Sequence, residues 1–163
     1  MKMTALLLAL GVFFTMGAFV GEASSQQAAG EQAVVKAGSK PENKASNKTF
    51  TGDVSHISIL PATPDANFAM STVIFQPEAR SFWHTHPAGQ RLIVIEGSGL
   101  TGTADGKVEV INKGDVVECP AGVKHWHGAS PTSAMTHIAI TPFKDGKKVE
   151  WMEEVTDEQY SKR

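Results

Sequence analysis

From Thr49 onward, short runs of β-branched, aliphatic and aromatic residues alternate with clusters of turn-forming residues. Val54 to Leu60 leads into a Pro-rich turn at Pro61 to Asp65, and Phe68 to Phe75 ends at Gln76-Pro77. Leu92 to Ile95 precedes the turn signal Gly97-Ser98-Gly99, after which Leu100 to Ala104 and Lys107 to Ile111 flank Asp105-Gly106. That dipeptide predicts a tight hairpin, because both positions can take positive φ. Val116 to Cys119, His125 to His127, Met135 to Pro142 and Lys147 to Trp151 complete the series. Short runs bounded by turn signals predict an all-β sandwich or barrel. With no 10-residue helical pattern between them, a parallel sheet with crossover helices is not expected. One short C-terminal helix is expected, since Thr156 with Gln159 three residues later can close a capping box. Such a set of strands suffices for one small barrel whose interior admits a ligand.

The first part of the chain has a different pattern. Lys2 is followed by an uncharged apolar stretch from Met3 to Gly21 and then by the small residues Ala23, Ser24 and Ser25. The stretch is long enough to span a bilayer, but the small-residue exit is that of a cleaved secretory signal, expected to end at Ala23. No cysteine follows it, which excludes a lipid-modified terminus. Residues 24–48 contain no aromatic residue and no Leu or Ile. Such a segment cannot bury enough apolar surface to offset its ordering entropy, so a flexible linker is expected. The expected organisation is therefore a signal peptide at 1–23, a linker at 24–48 and one folded domain at 49–163. A periplasmic or secreted location follows, with no membrane association once the signal is removed.

Composition narrows the partners. The 163 residues carry 15 Lys+Arg against 17 Asp+Glu, a formal charge of −2, and no basic stripe concentrates the cations. Nucleic acid is not an expected partner. Cys119 is the one cysteine, so neither a disulfide scaffold nor a multi-cysteine zinc module can form. It reads as a small buried hydrophobe.

The chemistry is concentrated between residues 84 and 137, which hold five of the six His and eight of the 15 Gly. Side chains two apart on a strand share a face. His84 and His86 therefore project together, as do His125 and His127, and His137 lies in a third apolar strand. One such pair is weak evidence for a metal. Two pairs and a further ring turned inward would be costly without a cation to bind them.

The series His84-x-His86-x3-Gln90-x6-Gly97, followed by Gly114-x5-Pro120-x-Gly122-x2-His125, resembles the paired motifs of the cupin superfamily. The resemblance implies a cupin-type jelly-roll β-barrel with a short C-terminal helix. It also implies one divalent metal ion per chain, held by His84, His86, Gln90 and His125. Three positions depart from the usual pattern: Gln90 replaces a glutamate, Glu78 a glycine, and Ala129 an asparagine. The first matters most, because three neutral imidazoles and an amide oxygen leave the full 2+ charge on the ion and make it a stronger Lewis acid.

Four longer segments carry a narrower resemblance: His84 to Gln90, Lys124 to Thr132, Ala134 to Ala139 and Val149 to Tyr160. They are similar to the small bacterial cupins with manganese-dependent hydroxynitrile lyase activity of the (R)-mandelonitrile lyase type, and the likeness runs from about Phe50 to Tyr160. It implies cleavage of a cyanohydrin to an aldehyde and cyanide. Mn2+ is the expected ion from the resemblance, while imidazole ligands alone also suit Fe2+, Zn2+ or Ni2+. A homo-oligomer, dimer or tetramer, is expected, and a small molecule is the expected substrate.

Within that reading His127, on the face of His125, is the candidate base, with a purely orienting role as its alternative. His137 is the candidate second proton carrier, or else a satisfied core histidine. Phe82, Leu92, Val94, Met135 and Ala139 are expected to line the interior. Trp83 and Trp126, of opposite parity to the ligands, are expected on the outer face as core or subunit contacts. His56 is given no role. A cupin dioxygenase acting on phenolic or enediol substrates and a non-catalytic metal-binding periplasmic cupin remain the rival classes.

Overall fold

A computed structural model describes residues 32–162. The signal at 1–23 and the first part of the linker lie outside the described residues. Residues 32–34 are exposed and irregular. Within the unit that begins at Val35, the strands in chain order are β1 (Asn43–Lys44), β2 (Phe50–Thr51), β3 (Val54–Leu60), β4 (Phe68–Phe75), β5 (Arg80–Ser81) and β6 (His84–Thr85). There follow β7 (Gln90–Thr103), β8 (Val108–Asn112), β9 (Val116–Cys119), β10 (His125–Ala129), β11 (Met135–Pro142), β12 (Glu150–Trp151) and the helix α1 (Asp157–Ser161).

The long strand β7 organises the jelly-roll barrel. Its first half pairs with β11 and β9, and its second half with β10 and β8. The apolar and polar alternation is clearest on β11, where Met135, His137, Ala139 and Thr141 are buried and the residues between them are half-buried. Period two therefore aims two polar residues, His137 and Thr141, at the interior along with the apolar ones. The closed end of the barrel is filled by Val54, Val73, Phe75, Ala79, Val94, Ile111, Ala129 and Met135. A second cluster lies on the outside, where Trp83, Leu100 and Trp126 are covered by Val155 and Tyr160 of the C-terminal arm. Both tryptophans are thus outer-face core, buried by their own chain. Gly102 is required there, since a Cβ would sit 2.3 Å from the Trp126 indole nitrogen.

The arm is fastened by polar contacts whose partners would otherwise be buried and unpaired. Tyr160 donates to the Ala129 carbonyl at 2.8 Å, and the buried Arg80 reaches the Val155 carbonyl and Asp157. At α1, Thr156 and Gln159 form the expected capping box.

Three expectations are corrected. Ordered pairing starts at Asn43, ahead of residue 49, because β1 adds to the edge of β3 and Ala45 donates to the Val54 carbonyl at 2.8 Å. Edge pairing is made by backbone groups, so an apolar-poor composition does not prevent it. Gly97-Ser98-Gly99 is not a reversal: β7 runs through it and bends. Gly97 has φ +73°, and a Cβ there would lie 1.8 Å from the Ala134 carbonyl oxygen. At the β7–β8 hairpin only Gly106 takes positive φ. Asp105 instead accepts from the Thr103 hydroxyl at 2.6 Å and the Lys107 amide at 3.2 Å, closing the loop through its side chain.

Candidate active site

At the open end of the barrel, β6 with the segment just after it, β7, β10 and β11 deliver all five clustered histidines and Gln90 to one place. His84 and His125 face each other in register across β6 and β10, with ring centroids 4.3 Å apart. His86 stands 5.0 Å from His84 and 5.5 Å from His125. All are 6% exposed or less.

Hydrogen bonds on the rear of the rings divide the histidines into two kinds. Nδ1 of His84 faces the Phe82 carbonyl at 2.9 Å, Nδ1 of His86 the Lys148 carbonyl at 2.5 Å, and Nδ1 of His125 the Val123 carbonyl at 3.0 Å. A carbonyl only accepts, so each Nδ1 carries the proton and each Nε2 keeps its lone pair. Nε2 of His86 and His125 and Oε1 of Gln90 are buried with no partner among the described residues, as is Nδ1 of His137 on the far side of the cluster. The Gln90 amide nitrogen donates to the Thr141 hydroxyl at 3.2 Å, which aims that oxygen the other way. Buried lone pairs without donors are costly in an empty protein and are what a divalent cation satisfies. The residues present therefore fit a metal ion.

His127 belongs to the second kind. Its Nδ1 meets Nε2 of His137 at 3.2 Å, and the pair is packed against Phe75 at 5.8 Å and 5.5 Å between ring centroids. The donor atoms of His84, His125 and His127 all lie within 4.8 Å of one another. Distance among the imidazoles alone would thus put His127 among the ligands in place of His86. The carbonyl-held tautomer, shared by His84, His86 and His125 and not by His127, separates them.

Burial is the largest influence on every one of these rings, and it favours the neutral form. His84 and His127 are held well below the usual histidine range, and His86 is lowered as well. His125 and His137 are brought to about 4. All five are neutral at pH 7 and able to present a lone pair. Cys119, by contrast, is pushed up to about 11 by burial and is inert.

His84, His86, His127 and His137, with Gln90, open onto a cavity of about 210 Å³. Phe50, Val73, Ala139, Val149 and Trp151 supply its apolar wall, while His56, Ser71, Thr141 and Lys148 add polar groups and no carboxylate among the described residues lines it. Trp151 lies tilted against His84 at 4.8 Å between ring centroids and meets Phe50 edge-on at 5.4 Å. Of the lining expected from parity, Ala139 is present. Leu92, Val94 and Met135 are 1% exposed or less and belong to the solid core, the last two in rows nearer the closed end. Phe82 is half-buried and outside the cavity, because the chain bends at Trp83 and breaks the alternation between Phe82 and His84. His56, left without a role by the sequence, lines the cavity. Its parity with the buried Val54 on β3 was the available signal. Phe50, Lys148 and Trp151 carried no local signal, since they arrive from distant segments.

Comparisons with known proteins agree with this architecture. The Cupin domain family profile matches residues 71–140. A protein of Granulicella tundricola named (R)-mandelonitrile lyase is 50% identical over 127 residues, which cover 78% of this chain and 97% of the relative. A cupin-like protein of Thermotoga maritima superposes with a TM-score of 0.68 at 37% identity, covering 79% of this chain and 95% of that one. A predicted oxalate decarboxylase of the same organism, at 19% identity and a TM-score of 0.60 over 69% of this chain and all of the other (100%), shares the fold alone. With a histidine cluster able to hold a metal at the mouth of its barrel, the chain belongs to the cupin superfamily, in the single-domain group that includes the (R)-mandelonitrile lyase of Granulicella tundricola.

Proposed function

We propose that this protein is a metal-dependent lyase that splits cyanohydrins of the mandelonitrile type into an aldehyde and cyanide, and catalyses the reverse addition. The observation that carries the reaction is the 50% identity to a protein named (R)-mandelonitrile lyase. The site supports it with two separate pieces of equipment, a lone-pair cradle and a buried imidazole relay. His84, His86, Gln90 and His125 would hold one divalent ion, Mn2+ first among the candidates and Fe2+, Zn2+ or Ni2+ after it. The ion would supply Lewis acidity that lowers the pKa of a nearby hydroxyl, the more so for a ligand set without carboxylate.

The chain's own residues carry the proton. For His127 to accept it at Nε2, its Nδ1 must bear hydrogen and donate to Nε2 of His137, which places the His137 proton on Nδ1. In cleavage, Nε2 of His127 takes the hydroxyl proton of R-CH(OH)-CN. The oxygen electrons form the carbonyl, the C–CN bond breaks, and its electron pair leaves with cyanide. His127 then returns the proton, releasing hydrogen cyanide. The hydrogen bond to His137 steadies the imidazolium while it lasts. Phe75 behind the two rings excludes water, and the apolar wall of Phe50, Val73 and Trp151 suits an aryl group.

The same reading places the mature protein, freed of residues 1–23, in the periplasm or outside the cell as a homo-oligomer. The test of function is cyanide release from mandelonitrile by metal-loaded protein, with and without oxygen, against a free-metal blank. Release independent of oxygen is expected. Oxygen uptake with phenolic substrates and no cyanide would install the dioxygenase reading, and neither activity would leave a binding protein.

A further inference from the structure

Most polar side chains of the cavity wall are committed. His84, His86 and Gln90 belong to the lone-pair cradle, His127 and His137 to the relay, and Thr141 is held by Gln90. The Lys148 ammonium lies over the Phe143 ring at 5.8 Å. His56 and Ser71 are left over. Both line the cavity, both are half-buried, and neither side chain has a hydrogen-bond partner among the described residues.

The sheet register places them together and away from the relay. His56 pairs with Val73 and Val73 with His137, so His56 and His137 lie two strand spacings apart, about 10 Å, on the same face. Ser71 is the inward residue next to Val73 on β4, diagonal to His56 and within side-chain reach of it. Between these polar ends the wall is apolar: Val73 and Ala139 on the sheet, Phe50 and Trp151 opposite the strands. A slot with aromatic walls, a reactive end and a distant polar end fits one aromatic ring carrying a hydrogen-bonding group on its far side. Imidazole and hydroxyl can each donate and accept, which matches a phenolic hydroxyl better than a purely accepting or purely donating group.

We propose that His56 and Ser71 form a distal subsite that selects ring-hydroxylated aromatic ligands over unsubstituted ones. The proposal rests on the cyanohydrin reading for its reaction, but its binding test does not. The experiment is calorimetric titration of the purified metal-containing protein with benzaldehyde and with 3- and 4-hydroxybenzaldehyde, in wild type, His56→Phe and Ser71→Ala, alongside kcat/KM for the matching cyanohydrins. Wild type should bind at least one hydroxylated aldehyde about tenfold more tightly than benzaldehyde, the scale of one hydrogen bond in a partly desolvated site. His56→Phe should bring that ratio close to one, and Ser71→Ala should lower it, while benzaldehyde binding changes less than about twofold. An unchanged ratio in both variants, no preference in wild type, or no binding of any aldehyde would overturn the subsite. If the preference is present and sensitive to His56 while no cyanohydrin is cleaved, the subsite stands and the lyase reading alone falls.

Discussion

His127 and His137 are joined Nδ1 to Nε2 at 3.2 Å although they come from β10 and β11, which lie on opposite sides of β7. His137 pairs with Val94 and His127 with Thr101. On a straight strand those partners would be about 23 Å apart. The bend of β7 at Gly97, between them, wraps the two halves of the barrel around and brings the rings into contact.

If that pair carries the proton, the two positions should differ in cost. His127→Ala should lower the rate of cyanide release about 10²- to 10⁴-fold, the usual worth of a general base, with metal content unchanged. His137→Ala should cost less, and His137→Gln, whose amide oxygen can still accept from His127, less again. Equal losses in all three would assign the pair a structural role only.

The metal assignment is checked by elemental analysis. Wild type should hold one divalent ion per chain, and His84→Ala and His125→Ala should lose it. The barrel should remain folded by circular dichroism, because neither apolar cluster includes those residues. Gln90→Glu should keep the ion and turn over more slowly, as a negative ligand weakens its Lewis acidity. Retained metal in His86→Ala with loss in His127→Ala would move His127 into the ligand set.

Acid should unfold the metal-free protein early. The buried rings are neutral when folded and titrate near 6.5 when unfolded, so below that pH the unfolded chain binds more protons and stability falls as pH falls. The contribution is complete above about pH 6.5 and is lost progressively toward about 4. For His137 alone this amounts to roughly 3 kcal/mol. Urea titrations at several pH values should show the decline, and His137→Leu should flatten it.

The bend itself is testable through stability. Gly97→Ala should destabilise by about 3 kcal/mol or more, since it adds a clash in a packed wall to an unfavourable positive φ. Gly106→Asn, at φ +88° with nothing within 4 Å, should change stability by less than about 1 kcal/mol. Melting temperatures of the two variants settle the comparison.

Local order was legible in the chain because it depends on neighbours. Short apolar runs bounded by turn signals located β3, β4, β9 and β11 at their observed bounds, and Thr156 with Gln159 marked the helix cap. Parity put His84 with His86 and His125 with His127 on shared faces and the tryptophans on the opposite one. What no local pattern held was where distant segments meet. Whether Gly97 reverses or bends the strand depends on β10 and β11 pairing with its two halves. The Lys148 carbonyl behind His86, the Trp151 wall beside His84, and the exclusion of Leu92 and Val94 from the cavity depend on how the barrel closes. So does the division of the histidines: five similar rings in sequence become three held by carbonyls and two held by each other, because a ring's tautomer is set by the group behind it, and only the closed barrel puts that group in place.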